Sequence, residues 1–432
     1  SDRQSGYWNK SIIGAPIRVS YDGQPLDSYT TYYWKIGYQT SSKQKTTFSP
    51  ISSFTTGCLS SDNWKGKWIT DKHDITYRPA PYYRKSFQLD KTIEQALLTI
   101  ASAGLHELSV NGQRAGNHFL DPMYTHFNKR ILSVTHDVTS LLSMGENVQL
   151  GNGWYNHQST AVWFFDKASW RNRPKFTAQL HLRYTDGTTE YLGTDSAWQT
   201  TDSPVIFNSI YTAEHYDAQK ELAGWDSPGF NATGWYHAQE TESPTETIKS
   251  QVMHPIRETA RYTATQCKKI NDSCYVYHFP KNIAGVTELK VKGKKGTKLR
   301  LKHGELLDKN GMVNMANIDY HYRPTDDSDP FQTDIVILSG KQDRFMPKFN
   351  YKGFQFVEVS SSAPIQLSDE NLIAVEMHSD VPAIGYWSSS SDLLNKIWKA
   401  TNSSYLANLF GYPTDCPQRE KNGWTGDAHI AI

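Results

Sequence analysis

Side chains able to exchange protons and bind polar groups lie close together between residues 415 and 427. Three carboxylates, an arginine and a tryptophan fall between residues 415 and 427: Asp415, Arg419, Glu420, Trp424 and Asp427. Paired carboxylates suit glycoside hydrolysis, because one protonates the leaving oxygen while another positions the substrate or activates water. An indole beside them packs on the face of a sugar. A polar loop with Arg419 salt-bridged to its neighbours explains the same spacing, so the spacing alone leaves both interpretations open.

The segment around these residues, 412–428, predicts an irregular loop. Two prolines and two glycines interrupt it: Pro413, Pro417, Gly423 and Gly426. An irregular segment directly after a buried helix is a typical place to hold catalytic groups on a rigid scaffold. Cys416 has the chemistry of a nucleophile, but no histidine stands at a fixed spacing from it, so we predict a buried structural thiol.

The motif reads Asp415-Cys416-Pro417-Gln418-Arg419-Glu420, then Gly423-Trp424-Thr425-Gly426-Asp427. This run closely resembles the signature of the bacterial inverting α-L-rhamnosidases. The resemblance implies that Glu420 is the general acid. It implies that four further residues hold the rhamnose: Asp415, Arg419, Trp424 and Asp427. It also implies a general base, a glutamate much later in an (α/α)6 barrel, which we expect beyond Ile432. The competing hypothesis is a noncatalytic carbohydrate-binding protein on the same scaffold.

Stretches upstream resemble the β domains of that family. They are Gly151-Asn-Gly-Trp-Tyr155, Phe349-Asn-Tyr-Lys-Gly-Phe-Gln-Phe356 and Trp64-Lys-Gly-Lys-Trp-Ile69. The resemblance implies a multidomain, mainly β chain that ends in a helical part. The implied domains are an immunoglobulin-like or fibronectin-like domain at 1–60, a jelly-roll sandwich at 61–248, a concanavalin-like sandwich at 249–375, and the start of an (α/α)6 six-hairpin barrel at 376–432.

The elements that must position the motif are mostly strands. Residues 178–184 and 297–303 alternate apolar and polar side chains, and 287–292 and 354–359 do the same. Turn dipeptides separate such runs: Asn111-Gly112, Asp186-Gly187, Asn310-Gly311 and Lys352-Gly353. Short strands with close turns favour sandwiches over βαβ units.

The pattern changes near residue 391, just before the motif. Ser391 and Asp392 can cap a helix, and apolar residues then recur at helical spacing. Gly411 and Pro413 follow, and both residue types end helices. The sequence therefore predicts one long helix over 392–409, directly ahead of the carboxylates.

Cysteine usage is sparse, with 4 cysteines in the chain, which is too few for a disulfide framework. Cys267 and Cys274 are close enough in sequence to bridge a hairpin, and two free thiols are an equal alternative. The spacing of cysteine and histidine matches no zinc motif. We therefore predict no metal and no cofactor.

Net charge and hydropathy argue against nucleic acid and a membrane as partners. Lys+Arg 45 against Asp+Glu 44 leaves a formal net charge of +1, which argues against a nucleic-acid binder. No apolar stretch is long enough to predict a membrane span. The resemblance implies rhamnose-containing glycosides or polysaccharides as partners and no particular oligomeric state. The first residues show no signal peptide; we expect a secreted or periplasmic protein, with the cytoplasm as the alternative.

Aromatic residues make up 13% of the chain, which suits both a large core and sugar binding. One cluster lies in the predicted jelly roll: Trp154, Trp163, Phe164, Phe165 and Trp170. It predicts either a sugar-binding platform or part of a core or domain interface.

Overall fold

The computed structural model describes residues 7–14, 18–39, 46–60, 63–142, 145–159, 162–318 and 328–431. The chain divides into two compact units, residues 1–64 and 65–432. The finer predicted breaks near 248 and 375 stay predictions. Each unit is described by itself.

The first unit contains short antiparallel strands. They are β1 (Thr31–Trp34), β2 (Gly37–Tyr38), β3 (Thr47–Phe48) and β4 (Ser52–Thr55). β1 pairs with β4, and β2 pairs with β3. Tyr29 and Cys58 are buried beside the β1–β4 ladder.

The second unit begins with a two-sheet sandwich. Its strands, with two that leave it for another sheet, are β5 (Ile69–Thr70), β6 (Pro81–Ser86), β7 (Ile93–Ala103), β8 (Leu105–Val110), β9 (Gln113–Arg114), β10 (Ile131–Asp137), β11 (Gly145–Gly151), β12 (Lys175–Tyr184), β13 (Thr189–Gly193), β14 (Gln199–Asp202), β15 (Val205–Asn208), β16 (Glu214–Asp217), β17 (Tyr236–His237), β18 (Gln239–Glu240) and β19 (Ile248–Ser250). Short 3-10 turns lie at Val162–Lys167 and Ala218–Lys220.

One sheet of the sandwich has the order β18-β5-β12-β7-β10-β19, with β13 beside β12, and the other has the order β17-β14-β6-β11-β8-β9. Their facing side chains form one core that includes Leu98, Val148, Phe176 and Leu180. The predicted strand at 178–184 is confirmed as part of β12. Gln179 and His181 are buried as well, whereas Arg183 is half-buried. The N–H of Lys65 donates to Gln179 Oε1 at 2.6 Å, so this polar side chain is covered by the chain at residue 65.

A ten-stranded sheet follows. Its remaining strands and the hairpin beside it are β20 (Ile256–Thr263), β21 (Gln266–Asn271), β22 (Cys274–Lys292), β23 (Lys298–Gly304), β24 (Leu306–Leu307), β25 (Val313–Asn314), β26 (Thr333–Ile337), β27 (Gln342–Phe345), β28 (Lys352–Ser361) and β29 (Leu372–Ser379), with a 3-10 turn at Asp369–Asn371. The order is β15-β16-β26-β23-β28-β22-β29-β20, with β21 and β27 beside β22. β15 and β16, which come before 248, therefore belong to this second sheet.

The predicted alternation at 297–303 is confirmed in β23, where Leu299 and Leu301 are buried and Arg300 and Lys302 are half-buried. The turn predicted at Lys352-Gly353 is wrong. Both residues lie in β28, where Gly353 pairs with Ala284 across the ladder. Its N–H donates to Gln332 Oε1 at 3.0 Å, so the dipeptide is held in an extended conformation by its neighbours.

The hairpin of β21 and β22 decides between the two alternatives for its cysteines. Cys267 faces Tyr277 and Cys274 faces Asn271, so the two thiols are not opposite each other. Both are free thiols.

After the ten-stranded sheet, the described residues form two α-helices, α1 (Asp392–Ala407) and α2 (Thr425–Ala431). The helix predicted over 392–409 is confirmed, with an end two residues earlier than expected. Its apolar residues Leu393, Leu394 and Ile397 are exposed. Among the described residues no helix has the length and apolar character needed to cross a bilayer.

Candidate active site

A tight turn after α1 sets the direction in which the chain enters the motif at residues 415–427. Asn408 caps the helix, and its carbonyl accepts hydrogen bonds from Thr414 N at 2.7 Å and Thr414 Oγ1 at 3.1 Å. Gly411 lies between them with φ 85°, a left-handed conformation that glycine adopts without steric cost. The turn therefore reverses the chain just before Asp415.

The same turn is fastened to the ten-stranded sheet. Gly411 N donates to Ser379 Oγ at 2.8 Å, and Ser379 N donates to Leu409 O at 2.8 Å. The ring of Phe410 stacks on Tyr351 with 3.8 Å between centroids and 9° between planes. The carboxylates that follow are thus presented from a rigid support rather than from a free loop.

Lys421 is the deepest anchor of the motif, and sequence analysis missed it. Its side chain is fully buried, and Nζ donates to Ile210 O at 2.7 Å and to Tyr351 O at 2.6 Å. Burial, and then the neighbouring charge of Lys352, hold the pKa of Lys421 well below its usual value. Because its acceptors come from two distant stretches, one side chain ties the motif to both. A lysine between a glutamate and an asparagine carries no local signal of this role.

Asp415 closes the motif into a loop. Its N–H donates to Asn422 O at 3.0 Å, and its Oδ1 accepts from Asn422 N at 2.9 Å. Its Oδ2 accepts from Cys416 Sγ at 2.9 Å, and Cys416 Sγ in turn accepts from Glu420 N at 3.3 Å. Burial and the Asp415 hydrogen bond raise the pKa of Cys416 to about 11, so this thiol is poorly suited to act as a nucleophile.

Glu420 lies at the rim of the loop. Trp424 Nε1 donates to Glu420 Oε2 at 3.1 Å, and Arg419 Nη2 lies 3.8 Å from Oε1. The Glu420 side chain is 13% exposed, whereas Trp424 is 44% exposed. One oxygen is therefore oriented by the indole while the carboxyl remains at the edge of solvent.

A second indole reaches this rim from the sandwich. The Trp163 ring lies edge-on to Trp424, with 5.3 Å between centroids and 75° between planes. Trp163 and Phe164 have φ of 72° and 54°, a strained conformation for non-glycine residues. Trp163 is 52% exposed, so the pair of indoles forms an accessible aromatic wall beside Glu420.

The aromatic cluster predicted in the jelly roll is divided by the fold. Trp154 is buried, and the half-buried Phe165 packs against it with 5.3 Å between centroids, so these two residues make an internal packing contact. Trp163 and Phe164 are exposed and Trp163 faces Trp424. Each of the two alternatives therefore describes part of the cluster.

Three of the five predicted site residues contact one another, and the other two lie outside these contacts. Arg419, Glu420 and Trp424 are joined by side-chain contacts. Asp415 bonds within the loop, and Asp427 is exposed in the first turn of α2. Their convergence around one sugar stays a prediction. A separate apolar cavity beneath the turn is lined by Tyr124, Trp154, Ile210, Tyr351, Phe410 and Tyr412, among others, and by none of the predicted site residues.

Gly353 in β28 is another residue that sequence analysis misjudged. An added Cβ there would lie 2.9 Å from Pro417 Cγ and 2.9 Å from Gln418 Cβ. The motif therefore packs directly on the backbone of the strand. A glycine inside a strand pattern is a known mark of such close approach, so this signal was available in the sequence.

Four family models match the chain. Their descriptions are Rha78A-like, N-terminal immunoglobulin domain, at residues 5–60; alpha-L-rhamnosidase N-terminal domain, at 91–260; bacterial alpha-L-rhamnosidase concanavalin-like domain, at 268–378; and bacterial alpha-L-rhamnosidase 6 hairpin glycosidase domain, at 382–432. Together they cover most of the chain, and the last contains the whole motif.

Several proteins similar to this chain are named alpha-L-rhamnosidases. An alpha-L-rhamnosidase of Formosa agariphila is 31% identical over 467 residues, which is 98% of this chain and 47% of that protein. The structure of the alpha-L-rhamnosidase from Dictyoglumus thermophilum matches with a TM-score of 0.87 and 32% identity, over 96% of this chain and 47% of that one. The Streptomyces avermitilis alpha-L-rhamnosidase complexed with L-rhamnose matches with a TM-score of 0.75 and 28% identity, over 91% and 40%. The chain spans about half the length of the first two relatives.

Proposed function

Because the chain belongs to the bacterial α-L-rhamnosidase family, we propose that it supplies the general acid and part of the sugar site of a glycoside hydrolase. The reaction is removal of terminal α-L-rhamnose from glycosides or polysaccharides by water, with inversion at the anomeric carbon. The observation that supports this proposal most directly is the setting of Glu420 between a loop anchored by buried Lys421 and two exposed indoles.

Glu420 is the proposed proton donor. A general acid must reach the glycosidic oxygen while its other atoms are held in place. Trp424 Nε1 at 3.1 Å fixes Oε2, and the side chain is 13% exposed, so the carboxyl is oriented without being sealed off. The exposed Trp163 and Trp424 rings supply a flat apolar surface of the kind that packs on sugar C–H groups.

The other two carboxylates fit supporting roles. Both oxygens of Asp415 already accept hydrogen bonds inside the loop, so it is better suited to shape the site and to receive sugar hydroxyls than to deliver a proton. Asp427 is exposed near the start of α2. We propose that Asp415, Arg419, Trp424 and Asp427 bind the rhamnose.

Inversion also needs a base on the opposite face of the ring. The two carboxyls of an inverting pair stand about 6.5–9.5 Å apart to admit a water molecule. Asp415 is engaged by Asn422 and Cys416, which makes it a poor candidate for this role. We propose that the base is a glutamate outside the 415–427 segment, in the barrel that the family resemblance implies.

The proposal is tested with Glu420→Gln in the full-length protein. Glutamine keeps the shape and the indole contact but carries no transferable proton. We expect kcat for a flavonoid rhamnoside, whose leaving group is poor, to fall by about 10²–10⁴. An activated aryl rhamnoside should lose much less. Glu370→Gln, the same substitution at an exposed position of the 369–371 turn, is the matched control.

Proton NMR of the first sugar released decides the stereochemistry, because inversion gives the β anomer of rhamnose before mutarotation. A Glu420→Gln protein that hydrolyses the flavonoid rhamnoside at the wild-type rate would move the acid to Asp427 or Asp415. Rhamnose binding without any hydrolysis by the wild-type protein would favour the noncatalytic alternative instead.

A further inference from the structure

Three buried ionisable side chains meet at one end of the sandwich, far in sequence from the motif. His106 lies on β8 of the six-stranded sheet and His136 on β10 of the seven-stranded sheet. Asp121 lies in the segment between these strands, and its backbone bridges to His106. One donor atom from each residue lies within 4.8 Å of the other two. The cluster therefore spans the two sheets.

His106 presents an unused ring nitrogen to this cluster. Its Nδ1 lies 2.9 Å from Ser102 Oγ, and that hydroxyl donates to Gly104 O at 3.4 Å. Ser102 therefore accepts from His106 Nδ1–H, which leaves the lone pair on Nε2. This Nε2 is buried and has no hydrogen-bond partner among the described residues. An orphaned buried acceptor is costly unless something binds it.

Asp121 supplies the negative charge. His118 Nδ1 donates to one carboxylate oxygen of Asp121 at 2.9 Å. Gln251 Nε2 donates to the other oxygen at 3.0 Å. The carboxylate is thus oriented by two hydrogen bonds, and each oxygen retains a lone pair.

We propose that His106 Nε2, a ring nitrogen of His136 and the Asp121 carboxylate bind a structural zinc ion that links the two sheets. Two imidazoles and a carboxylate are ligands that zinc prefers, with a water free to take the fourth position. Ser102 on His106, and His118 and Gln251 on Asp121, are the outer hydrogen bonds that usually orient such ligands. This departs from the absence of a metal that sequence spacing predicted.

The geometry needs only a small adjustment. Ligand atoms of tetrahedral zinc stand about 3.3 Å apart, given bonds of about 2.0–2.1 Å. The donor atoms lie up to 4.8 Å apart, so the widest pair must approach by about 1.5 Å when zinc binds. All three ligand residues are buried, which suits an ion that holds the two sheets together.

The experiment is metal binding by the purified full-length protein. After treatment with a chelator, the protein is titrated with Zn²⁺ and separately with Co²⁺, whose visible absorption reports tetrahedral nitrogen and oxygen ligands. We expect one equivalent per chain. Saturating Zn²⁺ should raise the Tm of the chelated protein by about 5–10 °C, because an ion that binds only the folded state stabilises it.

Asp121→Asn and His136→Gln should each weaken Zn²⁺ binding more than tenfold and remove the cobalt bands. His181→Gln is the matched control, since His181 is a buried histidine on β12 of the same sandwich outside the cluster. If either variant fails to fold, the cobalt spectrum and the zinc-dependent Tm of the wild-type chain still decide. Binding far below one equivalent, or binding that both ligand variants retain, would overturn the proposal.

Discussion

Replacing Lys421 by methionine tests whether one buried side chain fixes the position of the catalytic motif. Methionine has similar length and no donor. The substitution leaves the carbonyls of Ile210 and Tyr351 without the hydrogen bonds that Nζ donates at 2.7 and 2.6 Å. Each unsatisfied buried acceptor costs about 1–3 kcal/mol, so the gross loss is about 2–6 kcal/mol.

A second effect of the Lys421→Met substitution offsets part of this loss of stability. Burial already disfavours the charged form of Lys421, as its strongly lowered pKa indicates, and methionine removes this penalty. We therefore expect a net destabilisation of about 1.5–4 kcal/mol. Because the acceptors belong to the sheet and the loop around Ile210, the effect should concentrate on docking of the segment around Lys421.

Amide hydrogen exchange of peptides covering 412–424 measures this directly. Each 1.4 kcal/mol of lost local stability speeds exchange about tenfold, so protection should fall by about 10–10³. Lys399→Met, the same substitution at an exposed position of α1, is the control and should leave exchange in 412–424 unchanged. Unchanged protection of 412–424 in Lys421→Met would refute the argument that Lys421 anchors the motif.

Further outcomes follow from the aromatic wall and from a buried carboxyl. In the full-length protein, Trp163→Ala should raise KM for an aryl α-L-rhamnoside about 3- to 30-fold. Its Tm should change little, because the Trp163 ring is 52% exposed. Phe164→Ala is the control, and equal KM values for the two variants would contradict a sugar-binding role for the Trp163–Trp424 wall. Burial raises the pKa of Glu214 to about 7, so the folded state binds more protons than the unfolded state between about pH 4.5 and 7 and loses about 2–4 kcal/mol of stability as pH rises through that window. Glu214→Gln should therefore lose less Tm between pH 5 and pH 8 than the wild type, and a parallel pH profile would exclude this cause.

Local sequence patterns predicted the elements whose environment is simple. The alternation in 297–303 appears as β23 because one face of that strand is buried and the other is not. The periodic residues after Ser391 form α1, and Gly411 adopts a positive φ in the turn that follows the helix. The dense run of carboxylates, arginine and tryptophan marked the candidate site because its members are also neighbours in sequence.

Features that depend on contacts between residues distant in sequence could not be predicted from local patterns. Lys352-Gly353 has the composition of a turn, yet Gln332 and the packed motif hold it extended in β28. Lys421 carries no local sign that its nitrogen reaches the carbonyls of Ile210 and Tyr351.

The surroundings of Trp163 and of the proposed zinc ligands were likewise determined by tertiary contacts. Trp163 could be assigned to a core or to a surface until the fold set its ring against Trp424. His106 and His136 come together because two sheets pack face to face, at a separation along the chain that matches no metal motif. Periodicity and propensity act between near neighbours in sequence and therefore determined the strands, the helix and the motif. The partners of buried polar and aromatic side chains were decided only by which elements the tertiary structure packs together.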